Sequence, residues 1–273
     1  TGLDLKYKLP TLVVPDVIDG YEVTAIAPSA FKNHKGLVHV EIPASITSIG
    51  RGVLEGCTAL ESLVAPMLEV YQTQTHSYLA YYFGAMDHLE YDHIPETLNA
   101  LTYSNDATAI SDYAFYGASG LQTVICPEGT VTIGDYAFYG TSRLADPTID
   151  FDILEHIGAF AFAFSGAYQT ITLNSTVTIG EAAFVAMPRL ESIVVSDTHP
   201  THMSSDGVLY DKTGTVLLAV PALMTGTHYA VSDTVEVIAA HAFRNNRELM
   251  YVDLPGTLVQ IGQYAFAGCV ELV

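Results

Sequence analysis

The chain has 273 residues, 49% of them apolar and 15% charged, with 30 acidic residues against 10 basic ones and a net charge of −20. Intrinsic disorder is excluded, because it needs low hydrophobicity and high charge, and no basic face is available for DNA, RNA or an anionic membrane surface. No run reaches the roughly 20 apolar residues of a membrane-spanning helix, and no GxGxxG, P-loop, GxSxG, HExxH or Cys/His metal spacing occurs.

Residues 1–25 read as a divergent N-terminal coil, with Leu3, Leu9, Leu12, Val14 and Pro15 on the spacing of the later units. The chain begins at Thr1 rather than Met, so it reads as a mature or trimmed fragment in which a missing secretory signal is uninformative. From residue 26 to 273 follow nine repeats. Ala30-Phe31 opens them, and the same step returns at Phe115, Phe138, Phe162, Phe184, Phe243 and Phe266, with weaker copies at Val53-Leu54 and Tyr82-Phe83. Neighbouring copies lie 22 to 24 residues apart where nothing is inserted.

Offsets from the Phe define each unit. Six residues on stands an apolar residue (Leu37, Leu60, Leu89, Leu121, Leu144, Tyr168, Leu190, Leu249, Leu272), and twelve on stands Pro in five copies: Pro43, Pro66, Pro95, Pro127 and Pro255. Apolar pairs at offsets nine and eleven, such as Val40/Ile42 and Val124/Cys126, predict an alternating strand that Pro stops by lacking a ladder donor. The Ala-Phe step predicts a tight helical or 3-10 turn with its Phe inward. One such turn cannot bury its own apolar face, so the coils must stack, their strands about 4.8 Å apart in a rod on the order of 45 Å long.

Three insertions interrupt the period. Phe83 follows Leu54 by 29 residues, Phe115 follows Phe83 by 32, and Phe243 follows Phe184 by 59. The first holds an aromatic and polar stretch, Tyr71, His76, Tyr78, Tyr81 and Tyr82. The third, over 197–233, predicts a β-hairpin: Val208 to Tyr210, a turn at Asp211 to Gly214, then Thr215 to Val220.

The pattern I-G-x-x-A-F-x-x-C-x-x-L-x-x-[IV]-x-[IL]-P resembles the BspA-like, or Treponema-type, leucine-rich repeats. Ile49-Gly50, Ile133-Gly134, Ile157-Gly158, Ile179-Gly180 and Ile261-Gly262 carry the Ile-Gly step, and Cys57 and Cys269 fall three residues past the Phe position. Asp19 to Val23 resembles the first coil of such proteins, and Asp206 to Pro221 an inserted hairpin found among them. The departures are Leu54 for Phe, and Asp150, Asn174 and Ser196 for Pro. The resemblance implies an α/β leucine-rich-repeat solenoid of right-handed coils, with a parallel strand ladder on one face, short helical or 3-10 turns and one inserted hairpin. It also implies an extracellular or cell-surface protein of bacteria, or of a parasite or commensal, of a kind that often acts in adhesion.

Most single features read as packing. Tyr81, Tyr113, Tyr136 and Tyr264, two residues before the Phe and in register with Phe160, form an expected stacked ladder. Cys57 and Cys269 share one position seven repeats apart, roughly 34 Å at the ladder spacing and far beyond disulfide reach. Cys126 faces the core from a strand, so all three thiols are expected reduced and shielded. Asn174-Ser175-Thr176 fits a glycosylation sequon without meaning in a bacterial protein. Asp150 and Asp152 read as a solvated acidic edge rather than a Ca²⁺ loop. No catalytic residue, metal site or cofactor is expected.

The reading for function is a non-catalytic surface or secreted protein that recognises a protein or glycan through its exposed solenoid face; a structural spacer within a larger surface protein is the alternative. Offsets eight and ten should point outward. Offset eight gives His39, Ser62, Tyr91, Thr123, Asp146, Thr170, Ser192 and Tyr251, and offset ten gives Glu41, Val64, His93, Ile125, Thr148, Thr172, Val194 and Asp253. Aromatic and polar residues gather at the ends of this face, so the candidate binding residues are His39, Glu41, Tyr91, His93, Tyr251 and Asp253, with Tyr71, His76 and Tyr78 from the first insertion. The last coil stops before its strand and Pro, so this end is expected to be uncapped, with the native chain continuing past it or with the end packing on a neighbour in end-to-end contact.

Overall fold

A computed structural model describes residues 10–66, 68, 77–224 and 226–273. The chain winds into a solenoid of about ten turns. Strands Thr11–Val13, His39–Glu41, Ser62–Ala65, Ala100–Tyr103 and Thr123–Ile125 form one parallel sheet in that order. Val40, Leu63, Leu101 and Val124 are in register and buried at its centre, so each strand turns its apolar row inward.

The next coil breaks this ladder. Pro147 stands nine residues after Phe138, at the centre of the expected strand, and has no N–H to give. Thr148 Oγ1 instead accepts the Cys126 N–H at 2.8 Å. Asp146 and Thr148 therefore lie outside any strand. Pairing resumes between Thr170–Leu173 and Ser192–Val195. Asn174 does the work of the missing Pro: its Nδ2 donates to the carbonyls of Phe151 and Leu154, both at 2.9 Å, and its Oδ1 accepts from Thr176 and Val177. An amide so engaged is a plug between coils, not a free sequon.

A second parallel ladder runs through the Ile-Gly steps, a role their sequence did not announce. Ala109–Ile110, Thr132–Ile133, His156–Ile157 and Thr178–Ile179 pair in turn. Glycine follows because the coils nearly touch there: a Cβ on Gly158 would lie 2.5 Å from the Asp135 nitrogen. The Ala-Phe steps are hydrogen-bonded turns rather than helices. They add a third set of bonds between coils, such as Tyr113 N–H to Asp135 O and Phe115 N–H to Ala137 O, both 2.8 Å. Among the described residues, helix is confined to the α-helix Tyr78–Tyr82 and the 3-10 helix His88–His93.

The third insertion is a meander. His202–Ser205 pairs antiparallel with Val208–Asp211, which pairs antiparallel with Val216–Ala219. Asp211 Oδ1 accepts the Val216 N–H at 2.8 Å and ties the second turn. Val216–Ala219 then pairs parallel with Val237–Ile238, so the insertion returns as a partial coil of the solenoid. The buried core divides here into two clusters, one reaching back from Leu209 and Ala219 to Val14, the other running from Val208 to Ala265.

The Phe residues stack inward. Phe115, Phe138 and Phe162 are fully buried, with ring centroids 5.0 and 5.1 Å apart along the column. The three cysteines are free thiols; Cys57 and Cys126 are buried as expected, but Cys269 is only half-buried in the last coil, which no further coil of the described residues covers. Cys57 and Cys269 donate to the carbonyls of Phe31 and Phe243 at 3.1 Å, and burial pushes the Cys126 thiol up to about 12.

Candidate binding surfaces

The strand face presents His39 and Glu41 at one end and Tyr251 and Asp253 at the other, all exposed. His39 Nδ1 hydrogen-bonds Ser62 Oγ at 2.6 Å, and His228 Nε2 lies 2.9 Å from Asp253 Oδ2. Between them the row is small and β-branched: Thr123, Ile125, Thr170, Thr172 and Val194, each exposed.

Tyr91 and His93 do not belong to this face. They lie in the 3-10 helix His88–His93, and the ladder positions assigned to them belong to Ala100 and Thr102. The residue that packs inward is Leu98, which is fully buried, whereas Leu89 is 64% exposed. Pro95 therefore precedes the strand, its carbonyl accepting from the Leu98 N–H, and does not end it. Leu89 and Pro95 mimic the repeat spacing by chance inside an insertion that follows Phe83. Tyr78 is not a surface residue either. Its hydroxyl bonds the Pro66 carbonyl and the Tyr82 hydroxyl, and burial holds it far above the usual phenol range. Tyr71 and His76 lie outside the described residues. Asp150 Oδ1 accepts the Asp152 N–H at 2.9 Å, and among the described residues no three His, Cys, Asp or Glu side chains form a metal-binding group.

Aromatic residues gather instead on the turn side. The residue two before the Phe adopts a left-handed backbone at Tyr113 and Tyr136 (φ 56°), Phe160 (53°), His241 (63°) and Tyr264 (56°), a conformation uncommon outside glycine, whereas Tyr81 before Phe83 lies in the α-helix Tyr78–Tyr82 and does not follow this rule. Coil upon coil this aligns one column: His88 on Tyr113 at 4.2 Å, Tyr113 on Tyr136 at 5.1 Å with planes 4° apart, and Tyr136 on Phe160 at 5.1 Å. A second column runs beside it from the residue after the Phe, Tyr116 on Tyr139 at 4.9 Å and 8°, continued edge-on by Phe164 at 5.2 Å. Tyr91 packs against Tyr116 at 5.7 Å and lies across Gly117, where a Cβ would come within 2.3 Å of its ring.

The columns continue past the meander. His241 meets Phe160 edge-on at 5.4 Å and stacks on Tyr264 at 5.4 Å, and the Arg244 guanidinium sits 4.8 Å from the Phe164 centroid and 5.7 Å from that of Tyr264. The first column was legible from the repeat at Tyr113, Tyr136, Phe160 and Tyr264, but not at its start, where His88 of the 3-10 helix stacks on Tyr113 and Tyr81 lies in the α-helix instead. The second was missed, although Tyr-Gly directly after the Phe in two consecutive copies signals it. The rings of Tyr113, Tyr116, Tyr136 and Tyr139 remain partly exposed.

The family model for the BspA type leucine rich repeat region matches residues 16–102, 90–205 and 226–273. Among solved structures, a leucine rich cell surface protein from Faecalibacterium prausnitzii is 26% identical with a TM-score of 0.66, over 97% of this chain and 68% of that one. A leucine-rich repeat protein from Eubacterium ventriosum (21% identity, TM-score 0.53) and the pneumococcal vaccine antigen PcpA (21%, 0.52) share the fold. The chain aligns over 95% and 96% of its length with these two and spans 59% of each. No curated protein matches in sequence. Period, inward Phe column, stacked parallel ladders and family match agree: this chain belongs to the BspA-type leucine-rich-repeat family.

Proposed function

We propose that the chain is a non-catalytic recognition module of a bacterial surface or secreted protein, binding a protein or glycan through its solenoid surface. The observation that carries this reading is the double aromatic column on the turn side, partly exposed over consecutive coils. Aromatic rings beside polar groups are the usual composition of a protein hot spot and of a sugar platform. The columns thus displace the N-terminal strand face as the favoured surface, because Tyr91 and His93 are absent from that face. A surface location is supported by the Faecalibacterium neighbour, described as a cell surface protein. Among the described residues no helix is long and apolar enough to cross a membrane.

The spacer reading draws on a different observation, the bland Thr and Val rows at the middle of the strand face. A glycan array and a panel of host matrix proteins separate the two. Loss of affinity in the Tyr116→Leu/Tyr139→Leu pair supports the turn side. Loss in His39→Ala/Glu41→Ala or Tyr251→Ala/Asp253→Ala, with the Tyr pair within about 0.5 kcal/mol of the parent, moves the site to the strand face. No binding anywhere favours the spacer.

A further inference from the structure

We propose that the aromatic columns seat arginine side chains from an extended basic segment of a partner protein, in the manner that Arg244 is already seated at their far end. This rests on the turn side being the binding surface and names what that surface recognises.

Arg244 shows what the columns accept. Its guanidinium lies over Phe164 and Tyr264 and Nη1 donates to His241 Nδ1 at 3.0 Å. A guanidinium is drawn to ring faces by their quadrupole and sheds water more easily than an ammonium does. Toward the other end the same two columns continue as Tyr116, Tyr139, Tyr113 and Tyr136, and among the described residues no Lys or Arg lies over these four rings. Residues 52–142 contain eleven carboxylates and no Lys or Arg.

Carboxylates accompany the rings. Asp112, Asp135 and Glu181 stand at the same position of their coils, each exposed. Asp112 Oδ1 accepts the Asp135 N–H at 2.8 Å and Asp135 Oδ1 accepts the Ala159 N–H at 2.7 Å, so the coil-to-coil stacking holds these two in place. Burial first, and the charges of Asp112 and Asp135 next, keep the Tyr113 hydroxyl above its ordinary range. The ion pairs among the described residues, Lys32–Glu55 and His228–Asp253, involve none of these groups.

The overall span fits, without a ring-for-ring match, because the rings step by 4.2 to 5.1 Å. Arginines at alternate positions of an extended segment lie about 7 Å apart, so three of them span about 14 Å. The first column covers a comparable length, in steps of 4.2, 5.1 and 5.1 Å from His88 to Phe160.

The test is fluorescence anisotropy with a labelled peptide of four arginines alternating with serine, at about 50 mM salt, where surface charge is weakly screened. The neutral isostere citrulline replaces arginine in the control peptide. The expected result is saturable binding, at least tenfold weaker for the citrulline peptide. Tyr116→Phe/Tyr139→Phe should stay within twofold of the parent. Tyr116→Leu/Tyr139→Leu should lose fivefold or more with an unchanged circular dichroism spectrum, and Asp112→Asn/Asp135→Asn, which keeps an accepting oxygen, should also weaken binding. No saturable binding, or equal affinity of the Leu pair and the parent, overturns the proposal. A neutral oligosaccharide that binds and is lost in the Leu pair, while the arginine peptide does not bind, overturns the arginine assignment and leaves the turn-side recognition surface standing. Ligands whose affinity ignores the Tyr pair overturn both.

Discussion

Phe138 has no solvent exposure and is sandwiched between Phe115 and Phe162. Truncating it to Ala should cost about 3–5 kcal/mol, the range for a large buried aromatic, read as a fall in the urea midpoint. Glycines divide by position in the same way. Gly158→Ala drives a Cβ into the neighbouring coil's backbone and should cost about 1–3 kcal/mol. Gly129→Ala has nothing within 4 Å and should stay within about 0.5 kcal/mol. A denaturation series on these two variants checks the close approach of coils directly. The thiols follow burial as well. With its pKa pushed up to about 12, Cys126 should resist iodoacetamide at pH 8 until the chain unfolds, whereas denaturant should expose three alkylatable thiols to mass spectrometry.

At the scale of the element, period and offsets identified most strands, because a residue that must face the core recurs wherever a coil must stack. Two coils escaped that rule for local reasons. Pro147 removes a donor at the centre of one strand, and the insertion after Phe83 carries a false Leu and Pro. The corrected register is testable. Leu98→Ala should cost about 2–5 kcal/mol, while Leu89→Ala, at an exposed position, should stay within about 0.5 kcal/mol. Comparable losses in thermal melts of the two would restore the strand at residues 91–94.

Across the whole molecule, the divided core implies divided cooperativity. In a solenoid each coil contacts its neighbours, so stability is set by coils and their interfaces. Phe243→Ala should lower amide protection over 228–261 more than over 110–162, as hydrogen exchange will show, because Phe243 belongs to the second cluster. The alkaline limit is shared more widely. Burial raises the phenols of Tyr78, Tyr82, Tyr103 and Tyr168 and the thiol of Cys126. A group raised on folding stabilises fully below its unfolded pKa, and that contribution is lost as pH rises from there through the folded value. The window therefore opens near pH 8.5 for Cys126 and near pH 10 for the tyrosines. Each group contributes a slope of about 1.4 kcal/mol per pH unit within it. Urea midpoints should be level between pH 7 and 8 and fall steeply toward pH 11.

The sequence by itself determined the solenoid, the inward Phe column and the first aromatic column from Tyr113 onward, since each follows from residues recurring at fixed offsets in coils that cannot fold alone, and the hairpin, from its turn at Asp211 to Gly214. Free thiols followed as well, because one position seven coils apart cannot close on itself. The tertiary structure decided where the exposed aromatics meet. Tyr91, Tyr116, Tyr139, Phe164 and Arg244 come from a 3-10 helix and four different coils, one of them beyond a meander. Their convergence depends on the left-handed turns and on how far each insertion shifts the next coil. Offsets count residues along the chain, and neither quantity changes that count.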